Sequence, residues 1–367
     1  HSLKEKVDGS DLILTLDRAI QFKACQAIAD GVKKYEAEAG AAIVINPKTG
    51  GILAMCGAPD YDPDDYGNVE DISIYNNTGI FQAYEPGSIF KPITMAAALD
   101  LGKLEPETTY EDPGFVQYGP YKIKNFADKV YGKSTMVEVL DNSINTGAIF
   151  AMNQIGKQAF TQYVKDFGFG KSTGIELDTE SPGVVSNLDL KGDIYAATAS
   201  FGQGIMATPL QMVRAYSVFA NAGKMVKPYI VSQIISPEGE VESFSPQEAG
   251  QIVSPKTAMV LGGMLVSVVE NGHAKRAAVS GYRVAGKTGT AQVASSYGGY
   301  SGNVNVSFVG YAPFSDPKFA MIVVFYKPKN SQEAAISSAP VFADIAKFIL
   351  QYYNVPHDAP VKEASKS

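Results

Sequence analysis

Between Asp17 and Tyr35 the apolar residues Ile20, Ala24, Ile28, Val32 and Tyr35 recur every three or four positions, which predicts one buried face of a helix ending near Gly40. Two short apolar runs follow, Ala41 to Ile45 and Ile52 to Ala58. The NPKTGG between them carries the Pro and Gly of a tight connection, so the pair reads as a hairpin. Pro59 to Tyr66 is rich in Pro, Asp and Tyr without an apolar period and reads as loop. After Gly87 the period is helical again: Phe90, Ile93, Ala97 and Leu101 form a stripe that stops near Gly102. Pro92 then falls in the first turn, where its missing N–H costs little, and Ser88 sits at the helix start. Thr135 and Glu138 have capping-box spacing, with helical segments on either side of DNSINTGA, the second expected to end near Gly156. Thr208, Pro209 and Gln211 repeat the start signal for a helix closing near Gly223, and Ser254 with Pro255 for one closing near Gly272.

Beyond residue 280 the pattern turns to strand. Val284 to Val293, Val304 to Ala312 and Phe319 to Tyr326 are rich in Val, Ile, Phe and Tyr, which predicts three strands. A last amphipathic helix carries Val341, Ile345, Ile349 and Tyr352, and the polar tail from Pro356 is expected to be mobile. No internal repeat interrupts this order. A sheet assembled from both chain ends, with a mostly helical lobe inserted between them, accounts for it, and the boundary of the lobe is where a cleft is expected. The division expected within a single domain, 1–367, is a sheet part at about 10–60 plus 273–355, a helical part at about 61–272 and a tail at 356–367.

Composition narrows the function classes. With 367 residues, 45% hydrophobic and 19% charged, the chain is an ordinary globular protein rather than a disordered one. Its 31 Lys and Arg against 38 Asp and Glu give a formal charge of −7, which argues against nucleic-acid binding. Cys25 and Cys56 are the two cysteines, read as two buried thiols rather than a disulfide scaffold or a thiolate metal site. His273 is the one internal histidine, so a triad with a histidine base has a single candidate. The longest apolar runs, such as Met321 to Phe325, are too short to span a bilayer, and no signal-peptide pattern opens the chain. The chain thus reads as a soluble piece that begins at His1, with an upstream anchor or leader expected to have been removed.

Several segments imitate chemistry. Gly281, Gly286, Lys287 and Thr288 match the spacing of a phosphate-binding P-loop, but Tyr282, Arg283, Val284 and Ala285 inside it and Gly289, Thr290 and Val293 after it favour a strand where a P-loop needs a helix N-terminus. Gly202, Gly204 and Ala207 imitate a dinucleotide fingerprint without a βαβ unit or an acid about 20 residues on, and read as a tight turn. A different set is coherent. Ser88 and Lys91 are three apart at a helix start, so a desolvated, neutral lysine can take the serine proton without any histidine. Ser143 and Asn145 lie between helical segments, where a hydroxyl and an amide can relay protons and hold a substrate amide. Lys287, Thr288 and Thr290 on a strand offer a cation and hydroxyls to a carboxylate, and Gly289 would let a ligand backbone approach. Each pattern has a decoy: Ser315 with Lys318, Ser301 with Asn303, and Lys48 to Gly50 occur in loops and turns.

Ser-x-x-Lys, Ser-x-Asn and Lys-Thr-Gly-Thr in that order, each in the local structure it requires, mark the site of penicillin-binding enzymes. With AGAAIVINPKTGGILAM, EPGSIFKP, FGFGKSTGIEL, SFGQGIMATPLQMVRAYSVFANAG and AGKTGTAQV, the chain resembles the transpeptidase domain of penicillin-binding proteins over most of its length, most like the monofunctional class B enzymes of septal or lateral wall synthesis. The resemblance implies an α/β fold of the α+β type shared with serine β-lactamases: a five-stranded antiparallel sheet flanked by helices, a helical subdomain, and the site between them. It implies that Ser88 attacks the carbonyl between two terminal D-alanines of a peptidoglycan stem peptide with Lys91 as base. Ser143 and Asn145 would relay protons and position substrate, while Lys287, Thr288 and Thr290 would bind the terminal carboxylate. The N–H groups of Ser88 and Thr290 would form the oxyanion hole. An amine from a neighbouring stem peptide would resolve the acyl-enzyme, and β-lactams would acylate Ser88. No metal or organic cofactor is implied. A membrane anchor, a pedestal domain and contacts to a membrane glycosyltransferase would belong to a region before His1, placing the domain on the extracytoplasmic face of a bacterial membrane.

Other readings use the same residues. A D,D-carboxypeptidase would take water as acceptor. A serine β-lactamase needs a placed base and water, and the chain has no Glu-x-x-Leu-Asn segment; Glu176 and Glu180 are given a surface role. A β-lactam sensor and a P-loop nucleotide-binding protein stand further out.

Overall fold

In the computed structural model, which describes residues 8–69, 71–295 and 298–361, the two ends of the chain build one sheet. Its strands run antiparallel in the order Ala285–Ala294, Tyr300–Ala312, Phe319–Tyr326, Ala39–Ile45, Ile52–Ala58. The expected hairpin and three later strands are all present. Phe319–Tyr326 is buried at every position because both faces of the sheet are covered. Helices Arg18–Tyr35 and Ser338–Tyr352 pack on one side, and helix Pro209–Ala220 packs from the other. A methyl at Gly31 would lie 2.3 Å from the Phe325 ring, so the first helix rides close on the sheet.

The helix starts follow their capping residues. Asp17 accepts from the N–H of Ala19 and Ile20, Thr135 and Thr208 form capping boxes with Glu138 and Gln211, and Ser254 accepts from Thr257. Helix Pro255–Glu270 then packs beside strand 285–294, and helix Lys91–Asp100 packs between the 255–270 helix and helix Asn145–Asp166. That last helix departs from expectation. Gly156 has φ 76 and ψ 158, which breaks the helix, but the chain resumes and runs on to Asp166.

Four further differences appear. Asp11–Leu14 pairs with Val231–Ile235 in a separate three-stranded sheet, so the expected sheet part does not begin at residue 10. The lobe also carries short strands: Thr109–Asp112 pairs with Gly132–Thr135, and Phe115–Tyr118 forms a hairpin with Tyr121–Lys124. The cysteines are not two thiols. Cys25 on the first helix and Cys56 on the outer strand form a disulfide with their Cα atoms 5.1 Å apart, because the helix packs directly on that strand. The tail from Pro356 is likewise pinned at its start. His357 packs edge-on against Tyr282, and Asp358 accepts from Arg283 N at 2.7 Å and Ser315 Oγ at 3.0 Å. Residues 362–367 of the expected mobile tail lie outside the described residues. No described helix is long and apolar enough to cross a membrane.

Candidate active site

Ser88 lies in the single tight helical turn Gly87–Phe90 that feeds helix 91–100, and it is half-buried. Two neighbours hold this turn. Gly87 has φ 58, and a side chain there would meet Ala291 Cβ at 3.0 Å and Thr290 O at 3.2 Å, so the turn rests against strand 285–294. On another side Gly87 N donates to Gly202 O at 3.0 Å. Gly202 and Gly204 have φ values of 83 and 72, as a tight turn requires and a dinucleotide loop opening a helix does not.

Lys91 is 1% exposed, and its Nζ donates to Ser143 O at 2.5 Å and to Ser143 Oγ at 3.1 Å. Ser143 reaches it from the turn between helices Met136–Asp141 and 145–166, with φ 56, a conformation costly for a non-glycine residue. Asn145 opens the second helix and donates from Nδ2 to Lys124 O at 3.0 Å. Lys287 is fully buried on the strand beside the turn of Ser88, Thr288 is buried and Thr290 exposed. Residues from a helix start, an interhelical turn and an edge strand thus meet at one place. Gly289 has a packing reason besides the ligand approach expected. A side chain there would lie 2.8 Å from Ser307 Oγ, 2.9 Å from Ile89 Cγ2 and 3.0 Å from Pro86 O, so the glycine admits the turn that carries Ser88.

The penicillin binding protein transpeptidase domain model matches residues 40–347. The chain belongs to this family. Stage V sporulation protein D of Bacillus subtilis is 37% identical over 345 residues, covering 93% of this chain and 53% of that protein. Peptidoglycan D,D-transpeptidase FtsI of Escherichia coli K12 is 30% identical over 350 residues, 95% of this chain and 57% of that one. The chain therefore spans about half the length of these curated relatives. The crystal structure of penicillin binding protein 3 from Mycobacterium tuberculosis, complexed with aztreonam, matches with a TM-score of 0.91 and 31% identity over 99% of this chain and 84% of that chain.

The charges of this transpeptidase-family site are set by burial. Burial, with the nearby Lys287 adding to it, pushes the Lys91 amine well below the ordinary lysine range. Burial brings Lys287 down to about 7, with the Asp141 carboxylate opposing the shift. His273 is lowered by burial first and then by Lys287, Lys129 and Lys91, so the one internal histidine sits at the rim of a cationic cluster. The P-loop reading fails on its context, since Gly286 to Thr288 lie inside a strand paired to Phe308–Gly310. Decoy Lys48 pairs with Asp316 at 2.6 Å, and decoy Ser301 donates to Val293 O at 3.1 Å. Among the described residues no cluster of His, Cys, Asp and Glu could hold a metal ion.

Some supporting residues escape the motifs. Asp112, 1% exposed, accepts from Gly114 N, Asn125 Nδ2, Tyr131 N and Thr146 Oγ1 at 2.7–2.8 Å. Asn125 Oδ1 accepts from Thr146 N, so the 109–135 excursion is tied to the helix turn that presents Asn145. Glu85 takes the Gly204 N–H at 2.9 Å and the Tyr300 hydroxyl at 3.1 Å, joining the Ser88 turn, the glycine turn and the start of strand 300–312. Glu85 could have been found from its place in EPGS; no sequence signal marks Asp112. Glu180 caps the N–H groups of Thr173 and Gly174, and Glu176 that of Ile230.

Proposed function

We propose that this chain is the catalytic part of a peptidoglycan D,D-transpeptidase that works through an acyl-enzyme on Ser88. The observation that carries the reading is the buried Lys91 amine, bonded to Ser143 and one helical turn from the half-buried Ser88 hydroxyl. A lysine in such a place is a neutral base at physiological pH, which is what a serine nucleophile without a histidine needs.

The chemistry follows from the placements. Lys91 takes the Ser88 proton as Oγ bonds to the carbonyl carbon of the penultimate D-alanine, and the C–N bond to the terminal D-alanine breaks. Ser143, bonded to Lys91, passes a proton to the departing amine, and D-alanine leaves. Lys287, Thr288 and Thr290 hold the donor's terminal carboxylate, and Asn145 positions its amide. The N–H groups of Ser88 and Thr290 receive the developing oxyanion, and the contact of Gly87 with Thr290 supports that pairing. An amine of a second stem peptide then attacks the ester and frees Ser88. A β-lactam presents the same carboxylate and strained amide, and the aztreonam complex of the mycobacterial relative supports β-lactam binding here.

The disulfide supports an extracytoplasmic location, since such bonds persist in oxidising compartments. In the same reading, a membrane anchor and contacts to a membrane glycosyltransferase lie in sequence outside this chain. The test is intact mass after benzylpenicillin treatment of the wild type and Ser88→Ala. A stable adduct on the wild type alone supports the reading. A transient adduct with consumption of the drug makes the protein a β-lactamase, and no adduct at any concentration refutes Ser88 as nucleophile. Incubating a D-Ala-D-Ala peptide with an amine acceptor separates cross-linking from hydrolysis.

A further inference from the structure

We propose that Glu85 is a positioning residue of the site: through the Tyr300 hydroxyl it straps the ribbon formed by strands 285–294 and 300–312 to the turn of Ser88. The proposal rests on the transpeptidase reading, in which Thr290 at the base of that ribbon receives the donor's carboxylate, and it concerns a residue that none of the three motifs contains.

The ribbon needs a hold that the sheet does not give it. Strand 319–326 pairs with residues 305–312 of its neighbour, and Asn305 opposite Tyr326 is the last pair. Strand 285–294 goes on pairing past that point, Gln292 with Val304 and Ala294 with Tyr300, across a shift of register that interrupts the ladder. Residues 292–294 and 300–304 therefore leave the five-stranded sheet as two strands by themselves. A side chain at Gly302 would meet nothing within 4 Å, so their surroundings are open there. Two strands without a packed face are marginally stable in water. Thr290, opposite Val306, is two residues from the start of this ribbon and moves with it.

Glu85 is placed to hold the ribbon because its own backbone is fixed. Tyr84 N donates to Ala207 O at 3.0 Å, Ala207 N donates to Tyr84 O at 2.9 Å, and Gly87 N donates to Gly202 O. Pro86 O lies against Gly289 on the other side. Segment 84–87 is thus clamped between the 202–207 turn and strand 285–294, immediately before Ser88. From this clamp the side chain reaches two ways. Oε1 accepts from Gly204 N at 2.9 Å, and Oε2 accepts from the Tyr300 hydroxyl at 3.1 Å. One oxygen ties the carboxylate to the fixed segment and the other takes the ribbon. Burial raises the Glu85 carboxyl from its ordinary value, and the two donors oppose that shift. Hydrogen bonds to an ionised acceptor are the strong ones. Tyr300, opposite Ala294, lies at the outer end of the ribbon, so a bond there restrains everything between it and Thr290.

With the strap in place, the carboxylate site and the serine keep one separation. Without it, the ribbon samples positions in which Thr290 is displaced, and the apparent affinity for the donor falls with the fraction still in place. The chemical step in a correctly bound complex is untouched, because Lys91 and Ser143 stand on other elements.

The test is acylation by a fluorescent penicillin, resolved by its concentration dependence into the dissociation constant of the first complex and the first-order constant of acylation. It is run on the wild type, Tyr300→Phe, Glu85→Ala, their double variant and Glu85→Gln, with Tm measured for each. Tyr300 is 44% exposed and phenylalanine keeps its ring, so Tyr300→Phe should fold normally. It should raise the dissociation constant about fivefold and leave the first-order constant within about twofold. Glu85→Ala should raise the dissociation constant at least as far, and adding Tyr300→Phe to it should raise it no further, since the bond is already gone. Glu85→Gln keeps an oxygen for the Gly204 N–H and an N–H for the Tyr300 oxygen, so it should bind within about twofold of the wild type. A dissociation constant unmoved in Tyr300→Phe, single effects that multiply in the double variant, a Glu85→Gln as weak as Glu85→Ala, or losses confined to the first-order constant and Tm each overturn the strap. A wild type that is not acylated refutes the transpeptidase reading and the strap together, whereas an acylated wild type with any of those results in the variants refutes the strap alone.

Discussion

Gly202→Ala should separate the placement of the nucleophile from the stability of the fold. At Gly202 a Cβ would lie 2.2 Å from Gly87 O and 2.6 Å from Gly87 N, both backbone atoms of the turn that carries Ser88. Real contacts of this kind stay beyond 3.0 Å, so the turn must retreat by about 0.8 Å. Neither partner can yield by rotating a side chain. The left-handed backbone at φ 83 costs an alanine about 1–2 kcal/mol, and the overlap about 1–3 kcal/mol more. A displacement near 1 Å at a reacting atom can lower a rate about 100-fold, which is the expected loss in the second-order rate of acylation by a fluorescent penicillin. Gly204→Ala is the control. It has φ 72, but its nearest new neighbour is Thr198 Oγ1 at 3.3 Å, so it carries the backbone cost without moving Ser88. The pair should therefore differ by at least about tenfold in acylation and far less in Tm. Equal losses in the two variants, or a Gly202→Ala protein acylated at the wild-type rate, would refute the claim that this glycine sets the nucleophile's position.

Three further outcomes are expected. Replacing both cysteines by serine opens a loop with a sequence separation of 31 and should cost about 3–4 kcal/mol, read as a lower Tm; acylation should be untouched, because Cys56 lies on the edge strand opposite the one carrying Lys287. Asp112→Ala strips four hydrogen bonds from a buried carboxylate and should destabilise the chain by at least about 3 kcal/mol. At a temperature where it remains folded it should also acylate slowly, because the turn presenting Asn145 loses its anchor; an unchanged rate would show that the excursion does not position the motif. Lys287 is held at about 7 in the fold against about 10.4 in an unfolded chain, so the unfolded state binds more protons between those values. The burial penalty is therefore complete below about pH 7, and stability should rise as pH climbs from there towards 10; comparing urea midpoints at pH 6.5, 8 and 9.5 checks this, since Lys287→Met should lack that part of the rise.

What could be read along the chain was whatever a single element expresses by itself. Capping residues at Thr135, Thr208 and Ser254 located helix starts, and the apolar runs located all five strands of the sheet. The order of the three motifs pointed to the proposed site, because each motif requires its own local structure. Contacts between elements were another matter. Nothing in the spacing of Cys25 and Cys56 tells that a helix will lie on the outer strand, so the disulfide was missed. The strands at 109–135 are four residues long, too short to establish a period of two, and they are held largely by the buried Asp112 rather than by an apolar face. A strand glycine such as Gly289 signals a close approach without saying what approaches, so the packing of the Ser88 turn against it was not legible.

The same distinction explains how this site can dispense with histidine. A lysine near its ordinary value is a poor base at neutral pH, and lowering it requires a place without water, which only packing between elements provides. Lys91 finds that place where helix 91–100 is covered by the 145–166 and 255–270 helices, and Lys287 finds it on a strand pressed against the 255–270 helix. Burying one lysine would give a neutral base but no carboxylate anchor, and burying two without a carboxylate would leave both inclined to lose their protons. In the proposed mechanism the sheet from the chain ends contributes the anchor and the inserted lobe contributes the base. Under that proposed mechanism Ser88 becomes nucleophilic only when both parts are docked, which ties the chemistry to the seam between them.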